Sequence, residues 1–256
     1  MANPLTLERR NKLAQILVSE GSVKVGKLAE MFNVSTETIR KDLLYLEQEG
    51  IARKSHGGAV ASNELMELER PFVTKSLENI EIKMKIAQAA MAFIPDNGVV
   101  ALDAGSTVFS IGKLLALKRG LTVITNSIGI AQILAGTDNS VFLIGGKVRS
   151  SSMALVGLWG MEVLQSIQVH AAFLGTDGLV LHSGPCTASY EEAEIKKAML
   201  KSATKRILVS DSLKFRNTGL FQFCEWQDLD AVITDVDAPA EEIAKIEKYT
   251  QVIQVE

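Results

Sequence analysis

From Val34 to Ala59 the chain reads VSTETIRKDLLYLEQEGIARKSHGGA, and the residue pattern changes twice within it. The Ser35 hydroxyl is placed to accept from the backbone N–H groups of the next turn, so it is expected to cap a helix from Thr36 to about Gln48, which Gly50 then stops. At about 100° per residue, Ile39, Leu43 and Leu46 fall on one apolar stripe, with Glu37, Lys41 and Gln48 opposite and Thr38 and Arg40 on the flanks. One face docks and the other stays free. Just upstream, Val25 to Phe32 carries Leu28, Met31 and Phe32 at helical spacing, and Asn33 with Val34 makes a connection short enough for a helix-turn-helix. An earlier helix, Thr6 to Ser19, turns Leu13, Ile16 and Leu17 inward and ends at Gly21. After the second helix of the pair, Ile51 to Val60 alternates around Gly57 and Gly58, as a two-stranded wing with a tight turn does. Periodicity alone leaves an ordinary helical hairpin with a solvated charged face equally open.

Composition bounds the rest. A chain of 256 residues with 47% apolar and 22% charged residues is globular and long enough for a small domain plus a larger one. MANPLTLERR has no apolar run, and no segment approaches the roughly 20 apolar residues needed to span a bilayer, so a cytoplasmic protein without membrane contact is expected. Cys186 and Cys224 lack C-x-x-C spacing, which makes reduced thiols the expectation. The formal charge is −3, but residues 1–60 hold nine Lys or Arg against seven acids, a balance of +2 that leaves −5 for the remainder. A mildly basic head on an acidic body fits a nucleic-acid-binding module attached to something else. So small a charge implies weak binding by one copy, and a homo-oligomer, dimer or tetramer, with several heads on repeated half-sites supplies the missing affinity.

Ala61 to Lys75 loses the pattern and contains Pro71, which places a linker at 61–75 between domains at 1–60 and 76–256, with room for a helical turn around Leu65 and Leu68. Beyond it, apolar runs alternate with amphipathic helices. Helices are expected over Ile80 to Phe93, Ser110 to Leu117, Ile128 to Leu134, Gly157 to Leu164, Glu191 to Ser202 and Ala240 to Lys248. Strands are expected over Val99 to Leu102, Leu121 to Ile124, Val141 to Ile144, Ala171 to Leu174, Arg206 to Val209, Ala231 to Thr234 and Val252 to Val255. Such alternation argues for a Rossmann-like α/β domain, a mainly parallel sheet covered on both faces, with ligands at the carboxyl ends of the strands. Chemistry-bearing residues fall at those ends: Asp103-Ala-Gly105-Ser106-Thr107, Thr125-Asn126-Ser127, Gly145-Gly146-Lys147 with Arg149, and Gly175-Thr-Asp177-Gly178. Each is an ordinary turn word alone. Recurring after successive strands, they read as one site, with the first an outline of a phosphate cradle.

The words VSTETIRKDL and RKSHGGA together resemble the N-terminal domain of DeoR-type bacterial transcriptional regulators, departing only at Lys41, where Arg is more usual, and at Ser55. The later strand-end words, with Glu192 and Lys196 on a helix and Asp211-Ser-Leu-Lys214-Phe215, resemble that family's effector domain, which is similar in fold to ribose-5-phosphate isomerase and glucosamine-6-phosphate deaminase. The resemblance covers most of the chain. It implies a small winged helix-turn-helix followed by a larger α/β domain, and a repressor of a carbohydrate-utilisation operon whose operator binding is modulated by a phosphorylated sugar, with no cofactor and no metal. Ser35, Thr36, Glu37, Thr38, Arg40 and Lys41 would meet double-stranded operator DNA, with Arg53, Lys54, His56 and Gly57 from the wing; His56 has the alternative of only packing or capping the turn. Gly105, Ser106 and Thr107 would hold the phosphate, with Lys214 or Arg149 as cationic partner, and Asp103, Asn126, Asp177 and Glu192 would meet sugar hydroxyls. Thr125, Gly145, Gly146, Gly175, Gly178, Lys196 and Asp211 complete the expected effector site. For Glu192 and Lys196 the competing explanation is a surface i, i+4 ion pair. His182 to Ser189 is less typical of the family, and a metal on His182 and Cys186 lacks a further ligand. An isomerase or deaminase carrying a DNA-binding head is the alternative function, but no acid and base pair stands out. A winged helix that binds only protein leaves the basic wing without a purpose.

Overall fold

The computed structural model describes residues 4–48, 51–61, 71–180 and 182–256. Two compact units make up the chain, one built on Met1–Glu69 and the other on Arg70–Thr187 with Glu191–Glu256.

In the first unit, α1 spans Pro4–Glu20, β1 Ser22–Lys24, α2 Val25–Phe32, α3 Thr36–Gln48, β2 Ala52–Ser55 and β3 Gly58–Ala61. The tight turn between α2 and α3 has a local cause. Asn33 adopts a left-handed conformation, and the N–H groups of Asn33 and Val34 close back on the carbonyls of Glu30 and Ala29. Ser35 Oγ then accepts from the Thr38 N–H at 3.1 Å, so the cap lies where the sequence puts it. Gly50, expected to stop α3, and the turn expected around Leu65 and Leu68 lie outside the described residues.

Leu13, Leu17, Leu28, Ile39, Leu43 and Leu46 form the core. Met31, expected at helical spacing with Leu28, is instead half exposed, and Ala29 takes the inward place on α2. A charged group also enters: Asp42 is buried, and its two carboxylate oxygens accept from Arg9 Nε at 2.6 Å and Arg10 Nε at 2.9 Å. Two cations on one buried carboxylate offset the cost of taking it out of water, and the Arg10 guanidinium also lies 4.0 Å from the Tyr45 ring centroid. The wing has three strands, not two, in the order β1-β3-β2. Three residues are too few to display a period-two pattern, which is why β1 is silent in the sequence.

The second unit is a seven-stranded sheet, every neighbouring pair parallel. Its strands are β4 (Val99–Leu102), β5 (Thr122–Thr125), β6 (Ser140–Leu143), β9 (Val169–Leu174), β11 (Ala203–Val209), β13 (Ala231–Asp235) and β14 (Gln251–Val255), arranged β14-β13-β11-β9-β4-β5-β6. Two further short pairs lie outside that sheet: β7 (Lys147–Arg149) with β8 (Ala154–Val156), and β10 (Cys186–Thr187) with β12 (Phe221–Gln222). Helices α5 (Ile80–Ala90), α6 (Ser106–Leu115) and α7 (Ile128–Leu134) bury Ile86, Ile111 and Ile130 on one face. On the other face α8 (Leu158–Gln165), α9 (Tyr190–Ser202) and α10 (Ala240–Ile246) bury Leu164, Ile195 and Ile243. Each such side chain contributes roughly 1.5–3 kcal/mol. Two covered faces explain why the central strands read as continuous apolar runs.

From β4 the chain works outward to β6, then crosses back beside β4 at β9 and works outward the other way to β14. The crevice between the carboxyl ends of β4 and β9 is therefore the topological switch point, where this architecture leaves room for a ligand. A short helix, α4 (Phe72–Leu77), occupies part of the stretch expected as linker, with Pro71 as its N-cap residue.

Candidate functional site

The first unit presents a polar surface on α3 and the wing. Ser35, Thr36, Glu37, Arg40 and Lys41 are exposed and Thr38 is half-buried, its hydroxyl 2.8 Å from that of Ser35. Arg53, Lys54, His56 and Gly57 are exposed on the wing. Arg40 lies 3.6 Å from Glu37, a loose exposed pair that leaves its guanidinium available. Glu47 ties the two elements together by accepting from the Lys54 N–H at 2.9 Å. Between helix and wing runs a groove lined by Arg40, Leu43, Leu44, Glu47, Lys54 and Ser55. Leu44, half exposed and one turn beyond Arg40, is absent from the sequence reading, because an isolated outward Leu carries no signal by itself.

In the second unit a cavity opens at the switch point, lined by residues from several carboxyl-end loops. After β4, Gly105 is the N-cap residue of α6, and Ser106 and Thr107 open its first turn, so unpaired N–H groups and two hydroxyls face the cavity together. Gly105 and Gly175 pack back to back: a Cβ on Gly105 would stand 3.5 Å from the Gly175 Cα. Lys75, Lys214, Asp177, Thr187, Glu192 and Lys196 complete the charged and polar lining, with Phe72, Ser152, Thr176 and Ser210 beside them.

The charges are organised into two groups, the first buried and the second partly buried. Asp103 accepts from Lys196 Nζ and, at 3.0 Å, from the Gly175 N–H, while Lys196 Nζ also donates to the Gly175 carbonyl at 3.0 Å. This clamp ties β4, the β9 loop and α9 at the switch point. In the second group, Lys75 Nζ stands 3.1 Å from Asp177 Oδ1, Thr187 Oγ1 lies 2.9 Å from Asp177 Oδ2 and 3.2 Å from Glu192 Oε2, and Arg149 reaches Glu192 Oε1 at 3.5 Å. Burial pushes the Glu192 carboxyl above the usual carboxylate range; Arg149 and Lys196 oppose the rise and Asp177 adds to it. A hydroxyl has one proton to give, so Thr187 stands between the two carboxyls and donates to one of them at a time. Below Lys75, the buried Lys83 donates to the carbonyls of Lys75 at 2.5 Å and Glu78 at 2.8 Å and pairs with Asp211 at 3.6 Å; burial lowers its pKa and Asp211 partly restores it.

The predicted effector residues thus separate by position. Gly105, Ser106, Thr107, Gly175, Asp177, Glu192, Lys196 and Lys214 line the cavity. Asp103 stands behind it in the clamp, and Arg149 behind Glu192. Asp211 holds Lys83. Thr125 is a buried brace, donating to the Leu102 carbonyl at 2.7 Å and accepting from the Ser127 N–H at 3.0 Å. The Asn126 amide donates to the Leu155 carbonyl at 3.2 Å. Gly145 is exposed, Gly146 meets the Val156 carbonyl at the β7–β8 hairpin, and Gly178 backs onto Asn217 and Thr218. Glu192 and Lys196 are not the surface ion pair that their spacing also allowed: both are buried, with different partners.

Phe72 and Lys75 escaped the sequence reading because they sit in a stretch without periodicity, and Thr187 because it belongs to a two-residue strand. His182 Nε2 lies 2.9 Å from the Gly219 carbonyl, and among the described residues no group of His, Cys, Asp and Glu could hold a metal. Both cysteines are free thiols; burial pushes the Cys186 thiol up to about 12 and raises that of Cys224 as well. No helix among the described residues is long and apolar enough to cross a membrane.

Two family models and several relatives match most of the chain. Residues 78–236 match the DeoR C terminal sensor domain, and residues 9–64 the DeoR-like helix-turn-helix domain. Over 95% of this chain and 95% of its own length, the HTH-type transcriptional regulator GlpR of Haloferax volcanii is 32% identical. The lactose phosphotransferase system repressor of Staphylococcus epidermidis is 31% identical over 96% of this chain and 98% of its own. The transcriptional repressor AccR of Agrobacterium fabrum is 29% identical over 90% of each. Among solved structures, ribose 5-phosphate isomerase A of Methanocaldococcus jannaschii aligns over 54% of this chain and 55% of its own, at 17% identity and a TM-score of 0.39.

Proposed function

The chain belongs to the DeoR family of transcriptional regulators, and we propose that it is a cytoplasmic repressor of a carbohydrate-utilisation operon, released from or secured to its operator by a phosphorylated sugar. The observation that carries the sugar phosphate is the polarity of the switch-point cavity. One side offers Ser106 and Thr107 at the start of α6, with Lys75 and Lys214 nearby, which suits a phosphate. The other side offers Asp177, Thr187 and Glu192, two carboxyls and a hydroxyl that suit sugar hydroxyls.

On this reading Ser35 to Lys41 enter the major groove while Arg53, Lys54 and His56 meet phosphates. Residues 1–60 are the DNA-binding head, and the sensor begins at Phe72, within the stretch expected as linker. The chain leaving the head runs into α4, which carries Phe72 and Lys75 to the cavity. A phosphate that draws Lys75 from Asp177 therefore acts on the element that follows the connection. Ligand and operator then favour different arrangements of a homo-oligomer, and that difference is the regulation. The repressor sign follows relatives such as the lactose phosphotransferase system repressor.

The test is thermal unfolding of the full chain against a panel of sugar phosphates and their unphosphorylated parents, repeated with promoter-region DNA from its own operon. Stabilisation by one phosphorylated sugar and not its parent, with a change in DNA affinity, is the expected result. DNA binding with no response to any sugar phosphate sinks the effector assignment and leaves the head's role standing.

A further inference from the structure

The open edge of the parallel sheet is built differently from the rest of the surface. β6 is the last strand on its side of the sheet. The N–H groups of Ser140 and Ile144 bond inward to the carbonyls of Leu121 and Thr125, so by alternation Val141 and Leu143 turn their backbone groups to the open side. Such an edge is ordinarily blunted by charge, proline or a covering element. Here it is apolar: Phe142 is 57% exposed and Leu143 43%.

The elements that follow extend the same surface. α8 docks against the end of β6, its Gly160 so close that a Cβ would stand 3.1 Å from the Gly145 carbonyl and 3.7 Å from the Ile144 side chain. Ile144 and Phe142 share a face of the strand by alternation. The outward side of α8 then carries Leu158 at 72% exposure, Trp159 at 73% and Val163, one turn beyond Trp159. Val148, on the β7–β8 hairpin between β6 and α8, is exposed as well. Leu143 lies on the opposite face of the strand, and the other five side chains, Phe142, Val148, Leu158, Trp159 and Val163, leave on the order of 500 Å² uncovered, toward the upper end of what a monomer carries in one patch and a large part of the roughly 800 Å² each partner gives a standard interface.

We infer that this edge, β6 with the outer face of α8, is where a second copy of the chain docks across a two-fold axis. The occupant follows from the edge itself. A two-fold brings β6 against β6 antiparallel, so the groups of Val141 and Leu143 find identical partners, and the same operation lays the apolar side chains around Trp159 on their own copies. A large aromatic at the centre of such a patch is the residue type that dominates association. The inference rests on the oligomeric regulator proposed above and assigns the surface that oligomer uses.

Sedimentation velocity of the full chain at micromolar concentration tests it. The wild type is expected to sediment as a dimer or a multiple of one, and Trp159→Glu as a 27.7 kDa monomer that associates at least tenfold more weakly and still unfolds cooperatively. Leu117→Glu, at a residue 83% exposed elsewhere, is expected to keep the assembly intact. Should Trp159→Glu fail to fold, Val163→Glu is read in the same way. A dimer that survives both patch substitutions, or one that Leu117→Glu dissolves equally, overturns this surface and leaves the oligomeric reading in place. A monomeric wild type overturns both.

Discussion

Asp103 stands at the end of β4, where the sequence places a ligand-binding carboxylate, yet its Oδ2 accepts from both Lys196 and the Gly175 N–H. Removing it leaves the Lys196 ammonium buried without its paired carboxylate, with the Gly175 carbonyl at 3.0 Å and the Phe223 ring 5.3 Å away. Asp103→Ala is therefore expected to cost about 3–5 kcal/mol of stability, read by chemical denaturation, and to lose the effector response because the switch point opens. An unchanged midpoint returns Asp103 to the role of a simple ligand contact. Glu192 makes a pH prediction. A carboxyl whose folded pKa lies above its unfolded value holds more protons folded than unfolded between the two. Its contribution is full below the ordinary carboxylate range, near pH 4.3, and is lost as pH rises from there through the folded value. Burial, the first cause of the rise, sets this direction. Glu192→Gln should flatten that decline in melting temperature measured from pH 4 upward; an unaltered slope shows that Glu192 is ionised throughout.

At the scale of elements, the wing shows how one residue permits a strand that periodicity does not reveal. Gly58 opens β3 directly beside β1, and a Cβ there would stand 1.8 Å from the Val23 carbonyl oxygen. Gly58→Ala forces the two strands apart, with an expected loss of about 1–3 kcal/mol from the first unit and weaker DNA binding, since Val25 N–H also bonds to the Gly57 carbonyl at 3.0 Å. Unfolding monitored by circular dichroism checks the first effect, and fluorescence anisotropy on operator DNA the second. α4 gives the complementary lesson. Its six residues include Phe72, edge-on to Phe109 with ring centroids 5.4 Å apart, and Lys75, yet no amphipathic repeat marks it. A helix so short is stabilised by what it packs on, and by Lys83 bonding its carbonyls, more than by its own sequence.

For the whole molecule the regulatory claim is a statement about linkage. If the sugar phosphate weakens operator binding tenfold, a coupling of about 1.4 kcal/mol, then operator DNA must weaken sugar-phosphate binding by the same factor. Calorimetric titration of ligand into free and DNA-bound protein measures this, and a ligand affinity indifferent to DNA removes the two-site account. Asp42 shows why the charge of the head overstates its exposed positive surface: Arg9 and Arg10 are held by that buried carboxylate, whereas Arg40, Lys41, Arg53 and Lys54 are exposed on α3 and the wing.

The amino-acid sequence by itself determined what local physics can write. The cap at Ser35, the apolar stripe of α3, the βα alternation and the family resemblance all follow from neighbouring residues, and the parallel sheet follows from its apolar runs. What only the tertiary structure decided is which strand-end residues meet. Eight of the expected effector residues line one cavity, while Thr125, Asn126 and Gly178 brace the loops behind it. Phe72, Lys75 and Thr187 join the cavity from segments with no readable period. The reason is geometric. A turn word shows that a loop ends a strand, whereas the direction its side chains take depends on the order β9-β4-β5 across the sheet, which no spacing along the chain encodes.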